Sequence, residues 1–243
     1  LSNWEYTGRI NPLAEGWKSS PWTDLLKERH HLVSLMCKDK AVLDSCCGTG
    51  WGTLKYIAPV ASYVVGVDIC QPNAYLPARD NWLFHSGDAR NLSYPDNTFD
   101  IVLALDSLEH FTQENGLQYL QEINRVCRSD GLVIGTTPLV PFKSLIPHYL
   151  NQNKYHRNMF IPDSLKDTLT SVFSVVSIHK IYNRVCPYMV FICGISETSE
   201  TAHIDAEEKL IEFRKTLNCY TQIETVWLWI KLYGKNLLRR HDG

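Results

Sequence analysis

The sequence predicts an α/β fold: a seven-stranded, mostly parallel sheet with helices on both faces, followed by a helical C-terminal appendage. Three observations point there. Residues 41–53 read Ala-Val-Leu-Asp-Ser-Cys-Cys-Gly-Thr-Gly-Trp-Gly-Thr, a short apolar run that reaches an acid, then a small-residue loop and a helix-compatible segment over 53–58. Similar apolar runs recur at residues 63–69, 82–85, 101–105 and 132–136, separated by loops and helix-compatible segments. That is the pattern of parallel strands buried on both faces. Finally, residues 173–181 and 188–194 alternate or run apolar, as an antiparallel pair closing such a sheet would.

The composition bounds the function. A chain of 243 residues is long enough for one substantial core with an appendage. Its formal net charge of -2 gives no bulk attraction to a nucleic-acid backbone or an anionic surface, so nucleic acid is not favoured as a partner. Eight cysteines occur without a C-x-x-C pair, several within apolar runs, which fits reduced thiols of a cytoplasmic enzyme better than a disulfide framework. No stretch approaches the ~20 apolar residues of a membrane span, and no secretory leader is legible at the start.

In chain order, residues 1–20 are aromatic and turn-rich, with Trp4, Tyr6, Arg9 and Trp17. They read either as a tail packed by its aromatics or as a lid. Residues 21–38 read as a helix: Ser20 can cap it, Pro21 suits its first position, and Leu25, Leu26, Leu32, Leu35 and Met36 recur at helical spacing. The glycine loop then offers two readings. A nicotinamide fingerprint needs G-x-G-x-x-G, whereas Gly48, Gly50 and Gly52 give G-x-G-x-G, residue 53 is Thr, and Asp44 precedes the glycines. In its acid-then-glycines form the loop resembles the first motif of the class I S-adenosylmethionine-dependent methyltransferases. Cys46 departs from that pattern, since the family usually has Gly there.

Downstream residues extend the resemblance. The second run ends on Asp68, whose two oxygens suit a ribose cis-diol, although a strand-end Asp can also cap the next turn. The third run leads into Ser86-Gly-Asp-Ala-Arg90, and the fourth ends in Asp106-Ser-Leu-Glu-His110. Residues 87–111 resemble the family almost position by position. The resemblance implies a Rossmann-like domain with S-adenosyl-L-methionine as cofactor. It implies Asp68 at the ribose, Asp88 and Ala89 at the adenine, and Gly48 and Gly50 along the cofactor backbone. Asp44 would orient the loop or the cofactor's amino group. Tyr6 from the lid, Cys46, Ile69, Leu105 and Asp106 complete the expected cofactor set.

Residues 113–126 read as an amphipathic helix, 128–131 as a turn, and 139–160 as a long insertion beside the strand ends that would shape the acceptor pocket. A helix is expected from Pro162 to about residue 171. The composition turns polar over 196–203, giving three expected units: a lid at 1–20, a methyltransferase domain at 21–196 and a helical extension at 204–243. In that extension Val226, Trp229, Ile230, Tyr233 and Leu237 share one face, a stripe that suits docking or a homodimer more than membrane contact.

The expected activity is methyl transfer to a small-molecule acceptor, at a hydroxyl of a sugar, glycan or natural product. A hydroxyl acceptor gains from a base, and His110 and His156 are the candidates, though His110 could instead be a structural cap at the start of the following helix. Asp106, Glu109, His110 and His156 could also offer ligands to a divalent ion, but no metal is assigned. The rivals are nitrogen or carbon methylation on the same scaffold, a non-catalytic cofactor-binding module and, more distantly, a nicotinamide oxidoreductase.

Overall fold

A computed structural model describes residues 12, 18–70, 76–183 and 185–217. Seven strands form one sheet: β1 (Ala41–Ser45), β2 (Tyr63–Asp68), β3 (Trp82–Ser86), β4 (Phe99–Leu105), β5 (Cys127–Pro138), β6 (Val175–Ile181) and β7 (Tyr188–Gly194). Their spatial order is β3-β2-β1-β4-β5-β7-β6. The first five run parallel, and β7 lies antiparallel between β5 and β6. The order reverses between β1 and β4, so their carboxyl ends open on a crevice where α/β sheets receive ligands.

Side-chain alternation builds a core on each face. Val42, Leu132 and Ile134 point to one face, packing with α1 (Pro21–Ser34) through Leu25, Leu32 and Val33, and with α5 (Glu200–Thr216) through Ala206, Leu210 and Phe213. Leu43 and Val133 point to the other, under α2 (Gln113–Val126) and α4 (Pro162–Thr170), which contribute Leu120, Ile123, Leu165 and Leu169. Burial of such aliphatic side chains stabilises the fold by about 1.5–3 kcal/mol each. Nothing in the described residues 196–217 stands apart from the sheet, because α5 buries its apolar side on β5, β6 and β7.

The expected elements form, but some bounds move by four or five residues: α1 ends at Ser34 rather than residue 38, and β5 begins at Cys127 rather than residue 132. Ser20 caps α1, its Oγ accepting from the Trp22 amide at 3.3 Å, and Pro21 takes the first helical position. Residues 53–57 form a π-helical turn rather than a regular helix. On α2, Leu117 faces solvent, and Tyr119 takes the buried face with its hydroxyl bonded to Ser45 and Ser107. The turn at 128–131 sits inside β5 as an irregularity: Phe99 pairs with Cys127, but Ile101 already pairs with Leu132. The insertion 139–160 contains a short helix, α3 (Ile146–Gln152), with its own small core of Val140, Leu145, Tyr149 and Met159.

Candidate active site

A cleft of about 750 Å³ opens at the carboxyl ends of the central strands. The expected residues Asp44, Cys46, Gly48, Asp68, Ile69, Asp88, Ala89, Leu105, Asp106 and His110 all line it. Gly50 and His156 do not lie on the wall, and Tyr6 falls outside the described residues.

The glycine loop owes its shape to backbone conformation. Gly48 and Gly50 have φ of +60° and +74°, and Cys46 also has a positive φ, of +65°. The left-handed region costs a side-chain-bearing residue roughly 1 kcal/mol, which is the physical reason for a glycine preference where Cys46 stands. A Cβ on Gly48 would meet nothing within 4 Å, so this stretch of backbone is bare toward the cleft. Gly50 instead makes room for Trp82, whose ring would lie 2.9 Å from a Cβ, and Gly52 makes room for His30 of α1, at 2.3 Å. Two of the three glycines therefore serve packing.

Each strand-tip acid is held differently. Asp44 ends 1% exposed and accepts a hydrogen bond from the Thr53 hydroxyl. Burial pushes its carboxyl up to about 7, with the Asp68 charge adding to the rise and the Thr53 bond opposing it. Asp68 clamps the loop: its Oδ2 accepts from the Gly48 amide at 2.8 Å and its Oδ1 from the Cys70 amide at 2.9 Å. Asp88 is gripped by Arg90, with Nε at 3.0 Å and Nη2 at 2.6 Å, and this bonding holds its carboxyl below the usual range. Both Asp88 oxygens already accept two hydrogen bonds each from Arg90, so a further donor to this carboxylate competes with that grip.

Sequence reasoning missed Arg29. It reaches the cleft from α1, lies 5% exposed, pairs with the Asp106 carboxylate and stacks 4.6 Å over the Tyr188 ring. The available signal was a charge on the apolar side of a helix, which demands a partner. Asp106 has φ of +46°, and its Oδ1 accepts from the Thr136 hydroxyl at 2.9 Å.

At the far end of the cleft, the 3-10 turn Leu108–His110 carries Glu109 and His110. Glu109 is 1% exposed; burial first, and then the Asp106 charge, push its carboxyl up to about 8. His110 Nδ1 lies 3.2 Å from the Tyr155 carbonyl and so carries the proton that donates to it. His156 stands behind, its ring centroid 5.1 Å from that of His110. Burial, and then His110, push its imidazole down to about 4, so it is neutral at physiological pH. The amides of Arg157 and Asn158 donate to the Glu109 carbonyl at 2.8 and 3.1 Å, tying this loop to the turn.

Comparison with known proteins places this geometry. Residues 43–135 match the family described as Methyltransferase domain. The chain is 34% identical over 108 residues to a phthiotriol/phenolphthiotriol dimycocerosates methyltransferase of Mycobacterium ulcerans, covering 40% of this chain and 37% of that protein. It is 32% identical over 109 residues to the 27-O-demethylrifamycin SV methyltransferase of Amycolatopsis mediterranei, covering 41% and 39%. The chain thus spans well under half the length of these curated relatives. Among solved structures, the fold is similar to that of Burkholderia thailandensis 1,6-didemethyltoxoflavin-N1-methyltransferase with bound 1,6-didemethyltoxoflavin and S-adenosylhomocysteine. There the TM-score is 0.60 at 17% identity, with 75% of this chain and 82% of that one covered. The bare backbone at Gly48, the clamped acid at the tip of β2 and the acids around them fit an adenosyl cofactor. Residues 43–135 thus match a methyltransferase domain, and the sheet has the Rossmann-like fold of S-adenosylmethionine-dependent methyltransferases, which makes S-adenosylmethionine the cofactor this cleft is shaped for.

Proposed function

We propose that this chain transfers a methyl group from S-adenosylmethionine to a small-molecule acceptor, at a hydroxyl of a sugar, glycan or natural product. When bound, the cofactor supplies a methyl already activated on a sulfonium, so the protein's task is to position the acceptor and ease loss of its proton. Asp68 would hold the ribose, Asp88 and Ala89 the adenine, and Asp44 the cationic amino end. The observation that carries the hydroxyl reading is His110. It lines the cleft at the end where the acceptor would sit, and its Nδ1–H donates to the Tyr155 carbonyl, which fixes the tautomer whose Nε2 could accept a proton. His110 and His156 together are the groups that would activate the acceptor hydroxyl. The relatives named above add support, since one is named for a 27-O-demethyl substrate.

The test is turnover by the purified full chain with hydroxylated acceptors, comparing wild type with His110→Ala at unchanged cofactor affinity. A fall in rate of about 10²–10⁴ is expected for removal of a group that assists proton loss. A rate unmoved by His110→Ala would favour methylation of a nitrogen, the element named for the Burkholderia neighbour. Residues 1–20 are carried forward as a lid and 204–243 as an extension that docks or dimerises. Weaker cofactor binding in Tyr6→Ala, and a sedimentation mass of two chains, are the expected results.

A further inference from the structure

The turn and loop at the far end of the cleft bring three donor groups together, the adjacent Glu109 and His110 and, 46 positions after His110, His156. One carboxylate oxygen and one nitrogen from each ring all lie within 4.8 Å of one another. We propose that these three side chains form a binding site for a divalent first-row transition-metal cation, with its open positions facing the cleft.

The choice of donors follows from what each group is already doing. Asp106, the fourth candidate from sequence, is committed to Arg29 and to the Thr136 hydroxyl, so it is a poor ligand. Glu109 accepts from the Thr137 hydroxyl at 3.1 Å through Oε2, leaving Oε1 to bind and holding the carboxylate in one orientation. His110 gives its Nδ1–H to a backbone carbonyl, the arrangement that metal-ligating histidines use to fix their tautomer, which would make Nε2 its ligand atom. His156 faces Asn153 Nδ2 at 3.0 Å through Nε2, while its Nδ1 is buried and has no hydrogen-bond partner. A buried ring nitrogen without a partner is costly, and a cation supplies one.

Two imidazoles and one carboxyl group, which must shed its proton as the cation binds, suit zinc, manganese or ferrous iron better than magnesium or calcium, which take oxygen ligands. Ligand atoms about 2.1 Å from a cation stand roughly 3.4 Å apart, so binding draws the three groups in by about an ångström. His110 is exposed and can turn. Binding through Nδ1 places the His156 proton on Nε2, so the Asn153 amide must rotate its oxygen toward it. That oxygen now accepts from the Tyr155 amide at 3.0 Å, and this bond would be exchanged. Three protein ligands with open positions make a catalytic type of site. Resting on the hydroxyl-transfer reading, an acceptor hydroxyl in an open position would be polarised and shed its proton more easily.

The test is binding of Zn²⁺ and Co²⁺ to the chelator-stripped full chain, by calorimetry and by the visible spectrum of the cobalt form. One equivalent is expected, with affinity falling at least 100-fold in Glu109→Gln and in His156→Ala, each checked for folding by its melting temperature. Asn153→Asp, able to accept from both Nε2–H and the Tyr155 amide, should bind the cation more tightly than wild type. Wild type without a stoichiometric site would overturn the proposal, as would cobalt spectra unchanged by His110→Ala and His156→Ala combined. Binding of S-adenosylhomocysteine, measured separately on the same samples, reports on the methyltransferase reading independently of the metal.

Discussion

The two ends of the cleft are built on different principles. At the cofactor end, Asp44 is the penultimate residue of β1 and Asp68 the last of β2, both buried parallel strands, and two backbone amides fix the Asp68 carboxylate directly. At the acceptor end, His110 and His156 sit on a 3-10 turn and a loop, held by hydrogen bonds to Tyr155, Asn153 and the Glu109 carbonyl. Strand tips inherit their positions from the sheet, whereas loops take theirs from long-range contacts peculiar to one chain. A shared cofactor therefore meets a rigid half, and a variable acceptor meets a half that can be reshaped without disturbing the sheet.

The contrast can be broken most directly at Asp68. Asp68→Asn should weaken S-adenosylhomocysteine binding by roughly 100-fold, the scale of losing a charge-assisted hydrogen bond or two. His110→Ala, at the other end, should change that affinity by no more than about twofold. Equal losses from both variants would erase the distinction. Calorimetric titration reads both.

A stability measurement sharpens the same contrast. In Gly52→Ala the new Cβ would fall 2.3 Å from the His30 imidazole, so α1 must shift away from the loop. Overpacking of this kind costs about 1–3 kcal/mol, read as a lower denaturation midpoint. A Gly52→Ala chain as stable as wild type would mean that α1 is not seated on the loop as described.

The smallest effect is one of pH. Asp44 titrates at about 7 in the folded chain against an ordinary value of 3.8, chiefly through burial, with Asp68 as the facing charge. Because the folded value is the higher, its contribution to stability is complete below about pH 4 and is lost as pH rises through about 7. Ionised Asp44 is the form that attracts a cationic cofactor. Affinity for S-adenosylmethionine should therefore rise with pH up to about 7, by at most tenfold per unit, while the melting temperature of the free chain declines. Asp44→Asn should flatten both trends. A wild-type affinity flat between pH 5.5 and 7.5 would remove Asp44 from contact with the cofactor's charge.

The cofactor half was legible because its signals are local. An acid that ends a short apolar run, as Asp44 and Asp68 do, is conspicuous in a sequence, and so is the cluster of glycines after β1. The individual glycines were harder to interpret: Gly50 and Gly52 matter for Trp82 and His30, partners 32 and 22 positions away. Arg29 was overlooked because helical periodicity records where apolar residues recur and passes over a paired charge among them. The approach of His156 to Glu109 depends on amides at 157 and 158 reaching a carbonyl at 109, and no pattern in the sequence encodes such a bond. In α5, His203, Ala206, Leu210 and Phe213 do recur at helical spacing, but the stronger stripe near residues 226–237 drew attention past them.

Calorimetric titration of the purified chain with S-adenosylhomocysteine, run beside NAD, tests the assignment of the cleft most directly. One-to-one binding of S-adenosylhomocysteine, lost in Asp68→Asn, with no heat from NAD, is the expected result. Uptake of NAD by a chain indifferent to S-adenosylhomocysteine would contradict it.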